Sequence, residues 1–486
     1  MKKLIVFSVI FALVAGSVFA ADIGVTVLGA AQLLNGNDKQ ELKETKDDGT
    51  PVYGNKNQND TDFGIGRINI EASGALEDGT IGGWLRFRAG GGQGSNVEGW
   101  GKVWWKPIDA FQLQLGANPD GEWGLDGVAG WNFYQLACDV SIIDNGNTWG
   151  WGYTGLGDVK FRDAFFGGWG EPNALIFNVT PVEALEIHLA FPIGQASVPA
   201  YKEYQKFTVQ AKYNIDGVGT AAITYQNGFG HEDGTRGGGT AIYSGETNDP
   251  SKLFIYFGLS SIENLGVDIG VGLTLPSDVT HTVTYYGAEG TPDENKKLSE
   301  TTITKNYPLN VGVGVNFSSG AFGVKARVLA EFLGSTETDK ARYNLDGSKV
   351  TTGNATENYK LGDGLTMLID VQPSFAVNET MTAYLSMGVG FKTGWDERDM
   401  VLNSDGTPKV ESGNVVYEIT ADPRSEFAWH VQPYVVITPS YWSGAFFAGF
   451  RLESPIGRDN LPGKDGKENM TRIVNWSIPI GISFSF

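Results

Sequence analysis

The groups with which this chain could do covalent or metal chemistry are few: four histidines, one cysteine and scattered carboxylates. His188, His231, His281 and His430 show no His-Glu-x-x-His spacing, and Cys138 alone excludes a disulfide framework or a multi-cysteine zinc site. Gly90-Gly91-Gly92-Gln93-Gly94-Ser95 is not followed by Gly-Lys-Ser/Thr, so it is no phosphate loop. Asp144-Asn145-Gly146-Asn147 lacks the spacing of a calcium-binding hand. No nucleophile converges with a base, so the sequence points to no catalytic residue, metal or cofactor. What remains is fixed charge set among apolar residues. The basic set is Arg67, Arg86, Arg88, Lys102, Lys212, Lys325, Arg327 and Arg451; the acidic set is Glu71, Glu186, Asp268, Glu331 and Asp370. Rows of such charges act on small ions by attraction and repulsion.

The elements that must position them announce themselves by a period of two. In the last segment Val474, Trp476, Ile478, Ile480, Ile482, Phe484 and Phe486 are apolar, and the residues between them are small or polar. Val267-Ile269-Val271-Leu273-Leu275 and Leu309-Val311-Val313-Val315-Phe317 repeat the pattern. Successive strand side chains point to opposite faces, so each such segment has one hydrocarbon face and one small or polar face. The charged candidates fall on the second face. Arg67, Arg86, Arg88 and Lys102 lie on three consecutive strands and are expected to form a basic ladder. A slip of one residue would exchange the faces.

Connection lengths alternate. Short links are expected near 77–79, 107–109, 181–183, 214–217, 261–265, 318–320, 376–379 and 438–442. Between them lie long polar segments read as loops: 34–61, 228–251, 276–306, 334–362, 392–425 and 454–471, with Asp346-Gly347 and Asp405-Gly406 as tight turns inside them. Eight short turns join sixteen strands, and a first strand (about 22–33) and a last (about 473–486) make eighteen. Pro373 and Pro433 fall inside expected strands and should each force a bulge. Residues 118–172, with Trp123, Trp131, Trp149, Trp151 and Trp169, are too long and aromatic for a simple link. They either fold inward as a constriction or cap the rim.

Composition bounds the class. Glycine counts 67 of 486 residues, about double the usual share. No stretch beyond the first twenty residues approaches the ~18 apolar residues of a spanning helix. A net charge of −20 argues against sequence-independent nucleic-acid binding. Met1-Lys2-Lys3, the apolar run Leu4–Val14 and small residues at Val18 and Ala20 read as a secretory signal peptide, residues 1–20, cut before Ala21. Without Lys2 and Lys3 the chain carries 34 basic and 56 acidic residues, or −22. The wall candidates, eight basic to five acidic, run against that sign, so the excess acid belongs to the loops.

Together, the signal peptide, the alternating hairpins and the terminal Phe486 resemble bacterial outer-membrane β-barrel porins. The resemblance covers residues 21–486 as one all-β domain: a transmembrane antiparallel up-and-down barrel of about 18 strands, with short periplasmic turns and long extracellular loops. It implies a passive diffusion channel for small hydrophilic solutes and ions in the outer membrane, with Arg67, Arg86, Arg88, Lys102, Lys325, Arg327, Glu331 and Asp370 lining the pore. It further implies that Trp476, Ile478, Ile480, Ile482, Phe484 and Phe486 are read by the barrel-assembly machinery. Membrane lipid is the expected surrounding, no enzyme activity is expected, and homo-oligomerisation stays open. The rival expectations are a barrel serving as a surface receptor or adhesin through its loops and, behind it, a barrel-embedded hydrolase.

Overall fold

The computed structural model describes residues 20–45, 51–90, 97–116 and 174–193, and residues 207–485 apart from short stretches of the long loops and residue 442. The alternating segments are strands. In chain order they are β1 (Ala20–Thr45), β2 (Pro51–Ala75), β3 (Ile81–Gly90), β4 (Val97–Ile108), β5 (Phe111–Gly116) and β6 (Ala174–Val182). Next come β7 (Leu185–Pro192), β8 (Thr208–Ile215), β9 (Gly219–Gln226), β10 (Ser251–Ile262), β11 (Leu265–Leu275) and β12 (Leu309–Ser319). The last six are β13 (Phe322–Leu333), β14 (Gly364–Asn378), β15 (Met381–Thr393), β16 (Glu426–Ile437), β17 (Gly444–Gly449 with Arg451–Ser454) and β18 (Val474–Ser485). The sheet has nineteen segments; the two pieces of β17 flank Phe450 in one line, which leaves eighteen strands.

Consecutive strands pair antiparallel, and β18 closes the sheet on β1, from Thr26 opposite Ser485 to Asp38 opposite Val474. Closure removes the open edges that a lone sheet would present. The eight tight links fall at the eight places the sequence marks, all at one end. Gly217 and Gly320 serve two of them in the left-handed region, at φ 66° and 57°.

One face of the wall is an apolar belt. Ile70, Val103, Ile223, Ile255, Ile269 and Val328 are 39–51% exposed, although each is a large hydrocarbon. Their sequence neighbours Asn69, Thr224, Phe254 and Arg327 are buried on the opposite, inner face. In a closed sheet the exposed face is the outer one, and only hydrocarbon solvates it without cost. This is a transmembrane barrel, the form taken in bacterial outer membranes.

Three expectations are corrected. Neither proline makes a bulge: Pro373 stands opposite Val324 and Pro433 opposite Leu385, with the register unshifted on either side. Each ring removes a donor towards one neighbour only; β17 is interrupted just where Pro433 faces it, at Phe450. Segment 34–61 is largely strand, because β1 and β2 run 26 and 25 residues and pair out to Thr45 opposite Pro51. Segments 228–251, 276–306 and 334–362 carry a second, six-stranded sheet: Gly230–Arg236, Ala241–Asn248, Asp278–Gly287, Lys297–Asn306, Thr336–Arg342 and Thr356–Leu361. In it Thr282 stands opposite both Glu246 and Thr302, and Thr302 opposite Asp339. Segments 392–425 and 454–471 hold short two-stranded pairs. Residues 118–172, residues 1–19 of the expected signal peptide, Asp405-Gly406 and Phe486 lie outside the described residues.

Candidate functional site

Among the described residues, the inner wall holds three groups of polar side chains. The first is on β2–β4, where the sequence places a basic ladder. Counting back from the tight turn at 77–79 brings Glu71 opposite Arg86 and Asn69 opposite Arg88. Arg86 Nε donates to Glu71 Oε1 at 2.7 Å, and Arg88 Nε donates to Asn69 Oδ1 at 3.1 Å. Trp84 sits between the cations: its ring centroid is 5.1 Å from the Arg86 guanidinium and 5.7 Å from the Lys102 ammonium. Its indole N–H reaches Glu71 Oε2 at 3.4 Å. Hence the ladder is a compact patch with one carboxylate inside it, in which aromatic and acidic partners hold the cations in place.

A second group lies on β6–β9. Asn178 and His188 face each other and share a hydrogen bond of 2.7 Å between Nδ1 and Oδ1. The Nε2 atom of His188 is 3.6 Å from Glu186, and Glu186 accepts from Lys212 at 3.3 Å. Gln210 donates to Thr224 at 2.9 Å. Ala174, Ile176 and Ala190 form a small apolar cluster on the same face.

The third group runs across β10–β16. Tyr256 donates to Asp268 at 2.6 Å, and Arg327 Nη2 lies 3.6 Å from the same carboxylate. Asp370 stands opposite Arg327 on the next strand, and His430 Nε2 is 3.8 Å from Asp370 Oδ1. Gln372 donates to the Tyr434 hydroxyl at 2.9 Å, and Tyr434 stacks on Tyr384 with centroids 4.7 Å apart. Arg327, Asp370, His430 and Arg451 are all buried, whereas Lys325, near the tight turns, is exposed.

Two candidates are placed by backbone alone. Arg67 stands opposite Leu28 and Gly90, and Glu331 opposite Asn310 and Thr366. Their side chains lie outside the described residues. The sequence reading missed Tyr256, Trp84, Gln210, Asn69 and the glycines over which the long side chains lie. Reflection about the tight turns would have found Asn69 and Trp84, since each hairpin fixes its own register. Among the described residues no group of three or more His, Cys, Asp or Glu is arranged to hold a metal.

Outside the membrane belt, the six-stranded sheet ends in its own polar knot. Lys297 donates to Glu300 at 2.6 Å and lies 4.4 Å from the Tyr343 ring, and the Tyr343 hydroxyl donates to Glu300 at 3.4 Å. The Lys297 hydrogen bond holds the Glu300 carboxyl below the usual carboxylate range. Nearby, Ser348 donates from its hydroxyl and backbone N–H to Asp346, lowering that carboxyl too and fixing the turn at Gly347.

No protein-family model and no curated protein matches this chain. Among solved structures, OpdL of Pseudomonas aeruginosa superposes with a TM-score of 0.41 at 8% identity, covering 96% of this chain and 99% of that one. The outer membrane channel DcaP of Acinetobacter baumannii gives 0.40 at 11% identity, covering 96% and 97%. A trimer form of OmpT, an outer membrane protein of Vibrio cholerae, gives 0.38 at 9%, covering 97% and 100%. At such scores these likenesses say nothing of solute or activity, and the fold rests on this chain's own strand pairing.

Proposed function

We propose that the chain is an outer-membrane porin: after removal of a signal peptide, a passive diffusion channel for small hydrophilic solutes and ions. The observation that supports it best is the combination of eighteen closed strands with a polar, charged inner face. Barrels of 16–18 strands leave an aqueous path, and water needs polar walls. In this reading Arg86, Arg88 and Lys102 bias the ions that pass, Glu71 moderates them, and β18 carries the assembly signal ending at Phe486.

Liposome swelling with uncharged sugars of increasing size tests it. Swelling that falls off with solute size supports a diffusion pore. Liposomes that hold folded barrel and do not swell contradict it.

One observation favours a second reading, a receptor or adhesin platform. The long links between β9 and β10, β11 and β12, and β13 and β14 form a second, six-stranded sheet, an ordered element besides the barrel wall. That reading requires a barrel that does not conduct.

A further inference from the structure

Two triplets of facing residues repeat along the inner wall. On β11, β12 and β13 the register aligns Asp268, Gly314 and Arg327; on β14, β15 and β16 it aligns Asp370, Gly388 and His430. Each triplet reads acid, glycine, base. Neighbouring strands are roughly 4.8 Å apart, so acid and base are separated by about two such spacings with the glycine between them. Arg327 nevertheless brings Nη2 within 3.6 Å of Asp268, and His430 brings Nε2 within 3.8 Å of Asp370. They do so by lying along the wall over the glycine. Arg327 Nη1 also donates to the Ala326 carbonyl at 2.9 Å, and the two bases are only 1% and 2% exposed.

The glycines are what make room. A Cβ at Gly314 would overlap the Arg327 guanidinium, and one at Gly388 would overlap both the Asp370 carboxylate and the His430 ring. Other glycines of this face are crowded too, but by uncharged rings, Gly270 by Phe254 and Gly258 by Tyr256. Gly266, two positions before Asp268 on β11, would meet nothing nearer than 3.8 Å.

We propose that Gly314 and Gly388 are specificity-determining residues of the channel. By letting Arg327 and His430 lie flat against their acids, they keep the Arg327 charge and the His430 ring out of the solute path. The bore stays wide there, and ion preference is left to the β2–β4 patch. The inference rests on the channel reading for its consequence, though not for its geometry. A methyl group at Gly314 displaces the free end of a flexible side chain, so the strand can stay in place while Arg327 turns inward. The pore then becomes narrower and gains an inward positive charge.

The test compares the full-length barrel with Gly314→Ala and Gly266→Ala, each checked for folding by heat-modifiable migration. Arginine labelling by phenylglyoxal, read by mass spectrometry, reports whether Arg327 leaves the wall; planar bilayers report conductance and reversal potential. The expected result for Gly314→Ala is faster labelling of Arg327, lower unitary conductance and a reversal potential shifted towards anions, with Gly266→Ala matching the parent. Unchanged labelling in a folded Gly314→Ala barrel overturns the proposal. So does faster labelling with unchanged conductance and selectivity. A parent that is silent in bilayers fails the channel reading instead, and the labelling arm still decides the geometry. If Gly314→Ala does not fold, Gly388→Ala repeats the test with diethyl pyrocarbonate on His430. Failure of both to fold while Gly266→Ala folds also overturns the proposal, since the bases would then lack the freedom to move.

Discussion

Arg86 and Glu71 face each other across the first inner-wall hairpin and share a 2.7 Å hydrogen bond. The basic patch therefore carries its own partial neutralisation. Their side chains are 14% and 34% exposed, so solvent reaches both and the pair is not a sealed core contact. Removing the acid should matter more for the ions that pass than for stability. Glu71→Gln keeps the shape and a hydrogen-bond acceptor and deletes one negative charge. The expected outcome is a reversal potential shifted towards anion preference. Arg86→Glu with Arg88→Glu should shift it the other way, and both shifts should shrink as salt rises, because the screening length is about 8–10 Å at physiological salt.

The closing strand gives a second expectation. Ile482 is 38% exposed on the lipid face of β18, and Ser483 beside it points inward. A lysine facing lipid costs roughly 2–4 kcal/mol at mid-membrane and much less near the interfaces. Ile482→Lys should lower the yield of folded, heat-modifiable barrel, while Ser483→Lys should be tolerated. Deleting Phe486 should lower the yield as well, with export intact; normal yield after that deletion would mean the terminal aromatic plays no part in assembly.

The outer sheet should respond to acid. Glu300 is held below its usual range first by the hydrogen bond from Lys297. A carboxyl lowered on folding stabilises above its ordinary value of about 4.3 and loses that contribution as pH falls through the lowered one. Hydrogen exchange in Lys297–Asn306 should therefore speed up below that range in the parent and at neutral pH in Glu300→Gln. Exchange in β11 and β12 should not change. Equal exchange in the parent and Glu300→Gln at neutral pH would mean that the ion pair does not hold this sheet.

The sequence made the barrel legible because lipid imposes a signal. Wherever one face meets hydrocarbon, as at Val311, Val313 and Val315, alternation is strong and the strand count follows. Thr301, Thr302, Ile303 and Thr304 are just as extended, yet their hydropathy reads as loop. In Lys297–Asn306 polar residues alternate mostly with polar residues, so hydropathy carries no clear period. The same limit applies to the site. Glu71 and Arg86 could be paired by counting from their tight turn, because a short hairpin fixes register. Asp268 and Gly314 are joined through the long segment 276–308, whose length hides the register. The acid, glycine and base triplets were visible only as separate residues.

The central claim is that this barrel conducts, and single-channel recording in planar bilayers tests it most directly. The chain's charge after removal of residues 1–20 is −22, from 34 basic and 56 acidic residues, which taken alone would favour cations. Charges near the narrow path outweigh distant loop charges, so the account predicts large, stable, ohmic steps with weak anion preference or near neutrality at low salt. Folded barrel that inserts and stays silent would contradict it. Strong cation selectivity would contradict the assignment of the β2–β4 patch as the part of the wall that sets ion preference.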